Sequence, residues 1–207
     1  MGCKISRIQI GLDHDSVIRP GRKQDHILAD QFSKMTNIMA CNLSFPSLAD
    51  KLDVIVRSPT SDDIAGLARL FSEMQRHYRR PVTDEQAVEA AMLACQSVRT
   101  TFDPRVLIAT LDGSVIGSIV LNVTFPAYEL SRSLYIRDLY VARSMRRCGV
   151  GQTMVRAAAR LTYAQGFSAL DWTTETGNSA ARQMYESCGA RVLERTYYRL
   201  AREDMNE

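Results

Sequence analysis

Glycine and arginine residues lie close together between Leu139 and Gly151, where a hydrophobic strand leads through a basic turn into a helix. Gly149 and Gly151 open that helix, and a glycine lets a ligand approach the backbone because it has no Cβ. The first amides of a helix lack an intrahelical partner, and the helix dipole adds partial positive charge there. Because Arg146 and Arg147 add full charges, the stretch predicts a site for a diphosphate rather than for a single carboxylate.

Three phosphate-binding patterns compete for this loop. A Walker A loop requires G-x-x-x-x-G-K-S/T, and the chain has no such run. The dinucleotide fingerprint G-x-G-x-x-G of nucleotide-dependent oxidoreductases fails because Met154 replaces its third glycine, although Asp171 stands near the usual acidic position. Residues 146–151 satisfy the third pattern, R-x-x-G-x-G. The alternative is that residues 146–151 form an ordinary strand-to-helix turn that binds no ligand.

A second motif runs from Asn178 to Ala190 and reads N-S-A-A-R-Q-M-Y-E-S-C-G-A. A helix and a strand are expected between it and the glycine loop. Together the motifs resemble the GNAT acetyltransferase superfamily, in which R-x-x-G-x-G holds the pyrophosphate of acetyl-CoA and N-x-x-A-x-x-hydrophobic-Y-x-x-x-G follows it. The resemblance spans about residues 52 to 200. It implies an N-acetyltransferase with acetyl-CoA as cosubstrate.

The superfamily brings an amine to the thioester for direct attack, without a covalent enzyme intermediate. Backbone groups of the strand before the loop would pair with the pantetheine arm of acetyl-CoA, as an added strand pairs with a sheet edge. Asn178 would hydrogen-bond the same arm, unless it serves only as a helix cap. The residues that the resemblance assigns to the cofactor are Leu139, Tyr140, Val141, Arg146, Arg147, Cys148, Gly149, Val150, Gly151 and Asn178.

Three residues are candidates for proton transfer. Tyr185 matches the general acid of the superfamily, because a phenol with a pKa near 10 is protonated at neutral pH and can donate to the leaving thiolate; a tyrosine that only packs on the sheet is the alternative. Asp138 and Glu175 are candidate bases for the incoming ammonium, with solvated carboxylates or a water chain to bulk as alternatives. Strand alternation points Asp138 away from the side of Leu139, unless a bulge intervenes. Cys148 is expected to be reactive but not catalytic.

Residues 134–141 and 170–172 look like the branch of the superfamily that contains polyamine and related small-amine acetyltransferases. That branch usually has a glutamate where Arg137 stands here, so a positive charge replaces a negative one near the acceptor. The expected acceptor is therefore the primary amine of a small molecule, without a claim on polyamines. A protein or peptide N terminus, and a catalytically silent CoA-binding module, are the alternatives. Tyr78, Tyr128 and Glu129 are candidates for contacting the amine.

The elements that must position these residues follow from apolar spacing and from turn residues. The fold class predicted is α/β, with a mixed, mostly antiparallel sheet, one parallel strand–helix–strand crossover and helices on both faces. A right-handed crossover is expected between the strands on either side of the glycine-loop helix. Strands are predicted at 54–57, 106–111, 115–125, 134–142, 168–174 and 190–200, and helices after 60, at 83–95, after 149 and at 178–189.

Length and composition limit the other options. We expect residues 1–51 to be an N-terminal extension, either flexible or preceding the true start, and residues 52–207 to form the GNAT-like domain. A net charge of +3 over 207 residues is too small for a nucleic-acid-binding composition. No apolar run reaches the roughly 18 residues of a membrane span. Scattered cysteines without metal-ligand spacing indicate a cytoplasmic protein with reduced thiols and no metal. The superfamily adds a homodimer as an option.

Overall fold

The computed structural model describes residues 10–11, 52–127 and 130–205 of the chain. They fall into two compact units, one ending at Thr173 and the other running from Thr174. The strands are β1 (Ile10–Gly11), β2 (Ile55–Arg57), β3 (Arg105–Leu111), β4 (Ser114–Thr124), β5 (Ser133–Val141) and β6 (Leu170–Trp172). The helices are α1 (Ile64–His77), α2 (Asp84–Ala94), α3 (Val150–Ala164) and α4 (Ser179–Ser187).

The strands form one sheet of the first unit, in the order β1-β2-β3-β4-β5-β6. Its centre is antiparallel from β2 to β5, while β1 pairs parallel with β2 and β6 pairs parallel with β5. Helix α3 connects the parallel strands β5 and β6, as the predicted crossover requires. The mixed α/β fold class is therefore confirmed.

Helices cover both faces of this sheet. The apolar side of α3 packs on one face, where Val150, Met154 and Ala158 are buried together with strand residues such as Ile119 and Leu134. Helices α1 and α2 pack on the other face, and the buried residues there are Leu67, Ala68, Leu70, Phe71, Met74, Ala87, Ala91, Ile108, Tyr140 and Ala142. The helical spacing of apolar residues in the sequence is thus realised on both faces.

A β-bulge interrupts the pairing of β4 with β5. Val120 is opposite Asp138, whereas the next residue of β4, Leu121, is opposite Ile136, so Arg137 is an extra residue in β5. Ile136 and Leu139 both contact the α3 side of the sheet. Asp138 instead borders a cavity beneath α1 and α2. Because of the bulge, the side chains of Ile136 and Asp138 point to opposite faces of the sheet, although the two residues are two positions apart. The side chains of Asp138 and Leu139 also point to opposite faces, as alternation predicts.

The start of α1 is fixed by Asp63, which is only 5% exposed. Its carboxylate accepts two hydrogen bonds from the Arg57 guanidinium, at 2.6 and 2.9 Å. It also accepts from the backbone N–H of Thr60 at 2.7 Å and from the Thr60 hydroxyl at 3.1 Å. The hydrogen bonds from Arg57 are the main reason that the pKa of Asp63 lies below its usual value. This carboxylate joins the end of β2 to the first turn before α1.

The prediction of a last strand at residues 190–200 is wrong. Residues 191–200 are exposed, and none of them joins a strand pair in the described part of the chain. Val192, Thr196, Tyr197 and Tyr198 have high strand propensity, but propensity needs a partner for the backbone N–H and C=O groups. The apolar residues Val192 and Leu193 are also adjacent, so the segment lacks the alternation that buries one face.

Candidate active site

The strand that precedes the glycine loop has an open edge. Strand β6 pairs with β5 only through Leu134, Tyr135 and Ile136, and it ends at Trp172. From Arg137 to Val141, β5 has no strand partner on that side among the described residues. A sheet edge with unpaired N–H and C=O groups can accept an extended ligand as though it were another strand.

The backbone groups that face this open edge belong to Leu139 and Val141. The N–H of Ala142 donates to the carbonyl of Ile116 at 2.9 Å, so Ala142 is bonded toward β4. Because bonding direction alternates along an antiparallel strand, Tyr140 also faces β4, whereas Leu139 and Val141 face away from it. In agreement, the carbonyl of Val141 accepts from Nε of Arg146 at 3.2 Å rather than from β4.

The glycine loop has the conformation of an anion site. Arg147 and Gly149 both have positive φ, at 65° and 82°, and Gly149 is the cap from which α3 begins at Val150. The Gly149 carbonyl accepts from the N–H of Thr153 at 3.0 Å, which is the first bond of the helix. The N–H groups of Val150 and Gly151 precede that bond and have no acceptor within the helix. As the sequence predicts, the N–H donors of the loop lie at the positive end of the α3 dipole.

Arg146 is held over the side chain of Tyr140, with its guanidinium carbon 5.2 Å from the ring centre. The Tyr140 hydroxyl donates to Oε1 of Glu73 in α1 at 3.0 Å, and the same oxygen accepts from the backbone N–H of Arg143 at 2.7 Å. Burial, followed by the hydrogen bond to Glu73, raises the pKa of Tyr140 above its usual value. Glu73 thus ties α1 to the start of the loop.

Sequence reasoning missed Glu73 and the role of the Tyr140 side chain. Glu73 lies three residues after Leu70, at the border of the buried side of α1, and its partner Tyr140 is 67 residues further along the chain. No local pattern links residues so far apart. The only sequence signal was a carboxylate beside an otherwise apolar helix face.

Asp138 lies where the open edge of β5 meets a cavity of about 460 Å³. Burial is the main cause that raises the pKa of Asp138, and a hydrogen bond from the Leu139 N–H and the charge of Arg137 oppose it. A raised pKa makes a carboxylate a stronger proton acceptor than an exposed one when it is ionised. Asp138 belongs to the same unit as the glycine loop, whereas Glu175, the other predicted base, belongs to the second unit.

Cys148 is partly buried at the start of α3, and its thiol donates to the carbonyl of Arg146 at 3.6 Å. This contact places the sulfur within the glycine loop. Tyr78 is half exposed just beyond α1 and does not border the cavity. Tyr128 and Glu129 lie outside the described residues.

The other candidate residues belong to the second unit. Asn178 caps α4, since its Oδ1 accepts from the N–H of Ala181 at 3.2 Å. Asn178 thus acts as a helix cap, which is one of its two predicted roles. Its side-chain amide nitrogen is the group that could donate to a ligand. Tyr185 is partly buried in α4, and its carbonyl accepts from the N–H of Ala190 at 3.2 Å. Glu175 is exposed in the turn that precedes the helix.

Two further properties concern the described residues only. Within 52–127 and 130–205, no three histidine, cysteine, aspartate or glutamate side chains come together as a metal site would require. None of the helices in these ranges has the length and apolar character needed to cross a bilayer.

Known proteins share both the sequence pattern and this architecture. Residues 64–190, more than half of the chain, match the Acetyltransferase (GNAT) family. The chain belongs to this family. It is 31% identical to the uncharacterised N-acetyltransferase YhfO of Bacillus subtilis over 134 residues, which are 65% of this chain and 87% of that protein.

Solved structures of the GNAT fold agree. An integron cassette protein from the mobile metagenome of Vibrio cholerae is 25% identical, covers 74% of this chain and 96% of its own, and has a TM-score of 0.63. The aminoglycoside N-acetyltransferase AAC(6')-Iy, solved in complex with CoA, is 16% identical, covers 73% and 96% of the two chains, and has a TM-score of 0.60. As a GNAT member, the protein is an N-acetyltransferase with acetyl-CoA as its cosubstrate.

Proposed function

We propose that this enzyme transfers the acetyl group of acetyl-CoA to the primary amine of a small molecule, by direct attack within a ternary complex. The observation that carries the proposal is the open edge of β5, which leads directly into the glycine loop. One extended molecule can therefore lie with its thioester beside the strand and its diphosphate at the helix start. The polyamine branch stays a weaker option, because Arg137 is positively charged.

The donor is held by backbone groups and by charge. The N–H groups of Val150 and Gly151, together with the dipole of α3, bind the diphosphate. Arg146 and Arg147 are exposed beside it and neutralise its charge. Backbone groups of Leu139 and Val141, with Asn178, pair with the amides of the pantetheine arm. Asn178 would use its side-chain amide nitrogen, because its oxygen caps α4.

The chemistry needs two protons removed from the ammonium nitrogen, one before and one after attack, and one proton supplied to the leaving sulfur. Asp138 accepts the first proton of the ammonium, which frees the nitrogen lone pair to attack the thioester carbonyl carbon. The N–H of Val141 stabilises the negative charge that develops on the carbonyl oxygen, since the N–H of Leu139 is bonded to Asp138. As the C–N bond forms and the C–S bond breaks, Tyr185 donates its proton to the thiolate of CoA. The nitrogen then releases its second proton through solvent, which gives the neutral amide, and the Tyr185 phenolate takes a proton back from water. Glu175 is the second candidate base.

Calorimetry and a product assay test this proposal together. Acetyl-CoA and CoA should bind with dissociation constants in the micromolar range, and NAD should not bind. Incubation with acetyl-CoA and a panel of amines should give an N-acetylated product and free CoA in equal amounts by mass spectrometry. A peptide with a free N terminus is the comparison acceptor. Binding without any transfer would instead support a silent CoA-binding module, and preferred binding of NAD would exclude the proposal.

A further inference from the structure

The cavity beneath α1 and α2 has the size of a small-ligand site. Its volume of about 460 Å³ lies within the roughly 300–1,000 Å³ typical of ligand pockets. Its walls are mostly apolar, with Phe71 and Met74 from α1, Ala87 and Ala90 from α2, and Val106 and Val120 from the sheet. All of these residues belong to the first unit. An apolar molecule, or an apolar part of one, fits such a lining.

Three charged residues are among those that line the cavity. Asp138 is the one that belongs to the open edge of β5. Arg99 and Asp103 also border the cavity, but Asp103 already accepts from the N–H of Arg99 at 2.6 Å and from the N–H and hydroxyl of Thr100 at 2.8 and 2.7 Å. These bonds hold the 99–103 turn and lower the pKa of Asp103.

Of the two carboxylates that border the cavity, Asp103 is engaged in its own turn, and Asp138 is the one that belongs to the open edge of β5. Asp138 accepts from the adjacent Leu139 N–H, which leaves most of its acceptor capacity for an ammonium. The other polar residues of the lining are exposed or only half-buried, and they are Gln75, Gln86, Gln96, Ser97 and Arg99. The buried residues of the lining, Phe71, Met74 and Ala87, are apolar, so a second ammonium beside them would have no hydrogen-bond acceptor in their side chains. Placing a charge there without a partner is unfavourable, because the lost hydration is not replaced.

We propose that the acceptor is an amphipathic monoamine. Its alkyl or aryl chain occupies the cavity between α1, α2 and the sheet, and its single ammonium lies beside Asp138 at the open edge of β5. This inference rests on the proposed function and specifies the acceptor of the same reaction, so the balance of bonds and protons is unchanged. Polycationic acceptors, such as polyamines and aminoglycosides, are poor substrates.

An isosteric pair of amines tests the charge requirement. n-Heptylamine and 1,6-diaminohexane have the same length and differ only in a terminal methyl against a second ammonium. The value of kcat/KM should be about tenfold or more higher for n-heptylamine, because the second ammonium is desolvated without a partner. In a series from propylamine upward, kcat/KM should rise about fourfold for each added CH2 until the cavity is full.

The possible outcomes separate this inference from the proposed function. Equal or better acetylation of 1,6-diaminohexane, spermidine or neamine would overturn the monoamine inference and leave small-amine transfer intact. Tight binding of acetyl-CoA with no acetylation of any amine would overturn both. A preference for n-heptylamine over 1,6-diaminohexane, together with a kcat/KM that rises along the alkylamine series, would support both.

A pair of variants on α2 locates the acceptor. Ala90 borders the cavity and is exposed at its surface, whereas Val88 is exposed on the same helix and does not border it. Ala90→Phe should raise KM for n-heptylamine about fivefold or more, with the Kd of acetyl-CoA unchanged, because the ring takes apolar volume from the chain. Val88→Phe should behave like the wild type. Wild-type kinetics of both variants, with folding verified by circular dichroism, would contradict the proposed location; Ala90→Leu is the milder substitute if Ala90→Phe does not fold.

Discussion

In the proposed mechanism, the leaving thiolate of CoA takes its proton from the Tyr185 hydroxyl. An unperturbed phenol has a pKa near 10, so it is protonated at pH 7 and can donate as the C–S bond breaks. The acid and the base candidates therefore differ in kind: the phenol supplies a proton and the Asp138 carboxylate accepts one. At the scale of single residues, these two groups carry the proton transfers that accompany formation of the C–N bond and cleavage of the C–S bond.

Replacing the Tyr185 hydroxyl tests its assignment as the acid. Tyr185→Phe should lower kcat about 100-fold, because general acid catalysis typically contributes at least that factor. The Kd of acetyl-CoA should change little, since the ring is retained. Tyr198→Phe is the control, because Tyr198 belongs to the same unit and is 86% exposed. If Tyr185→Phe weakened acetyl-CoA binding and turnover equally, Tyr185 would be a packing residue.

At the scale of elements, the glycine loop and α3 act together. The left-handed conformation of Gly149 turns the chain so that the first amides of the helix face outward. The far end of the same helix also has a glycine of positive φ, Gly166 at 70°, where an added Cβ would meet no atom within 4 Å. The two glycines thus have similar backbone strain on substitution, but only Gly149 lies at the expected diphosphate.

The substitutions Gly149→Ala and Gly166→Ala should therefore differ in binding alone. Each should lower the free energy of unfolding by roughly 1–2 kcal/mol, the cost of placing an L-residue in the left-handed region. Only Gly149→Ala should weaken acetyl-CoA binding, by about tenfold or about 1.4 kcal/mol, measured by calorimetry. Equal affinities of the two variants for acetyl-CoA would show that this loop does not bind the diphosphate.

At the scale of the whole molecule, stability depends on pH through Asp63. Its folded pKa is lowered, so its contribution is complete above the ordinary aspartate pKa near 4 and is lost as the pH falls through the folded value. Asp63→Asn should lower the free energy of unfolding at pH 7 by about 1.5–3 kcal/mol, the usual range for hydrogen bonds to a charged group. Urea unfolding from pH 7 to pH 3 should show this difference shrinking below pH 4.

Asp62→Asn is the matched control for that series. Asp62 is adjacent and exposed, so its loss should change the stability by less than about 0.5 kcal/mol at every pH. A constant effect of Asp63→Asn across the pH range would show that packing, rather than the charge, accounts for the contribution of Asp63.

Much of the architecture could be predicted because the signals are local. Apolar spacing indicated α1 and α3, and glycines with positive φ indicated where α3 and α4 end, at Gly166 and Gly189. The glycine loop also follows from a local signal, since its donors are consecutive residues at the start of α3, and its role in binding a diphosphate stays a prediction. By contrast, the contact of Tyr140 with Glu73 and the cavity around Asp138 join distant segments. Such contacts depend on how elements pack, which single-sequence patterns do not contain.

The extension assigned to residues 1–51 stays a prediction, since only Ile10 and Gly11 of it are described, where they pair with β2. The roles of Asn178, Glu175 and Tyr185 also stay predictions. They rest on the motif in the second unit. The roles of the loop and of Asp138 are proposals too, and the geometry within the first unit supports them.

The extra residue in β5 determines how that strand responds to a change in its length. In a strand that kept Arg137 without the bulge, alternation over the two residues from Ile136 to Asp138 would place the Asp138 carboxylate on the same face as Ile136, under α3 and away from the cavity. Deletion of Arg137 would remove the bulge and still leave Ile136 and Asp138 on opposite faces, with the candidate base on the acceptor side. For protein engineering, Arg137 is therefore a position of β5 at which a deletion preserves the facing of both flanking residues.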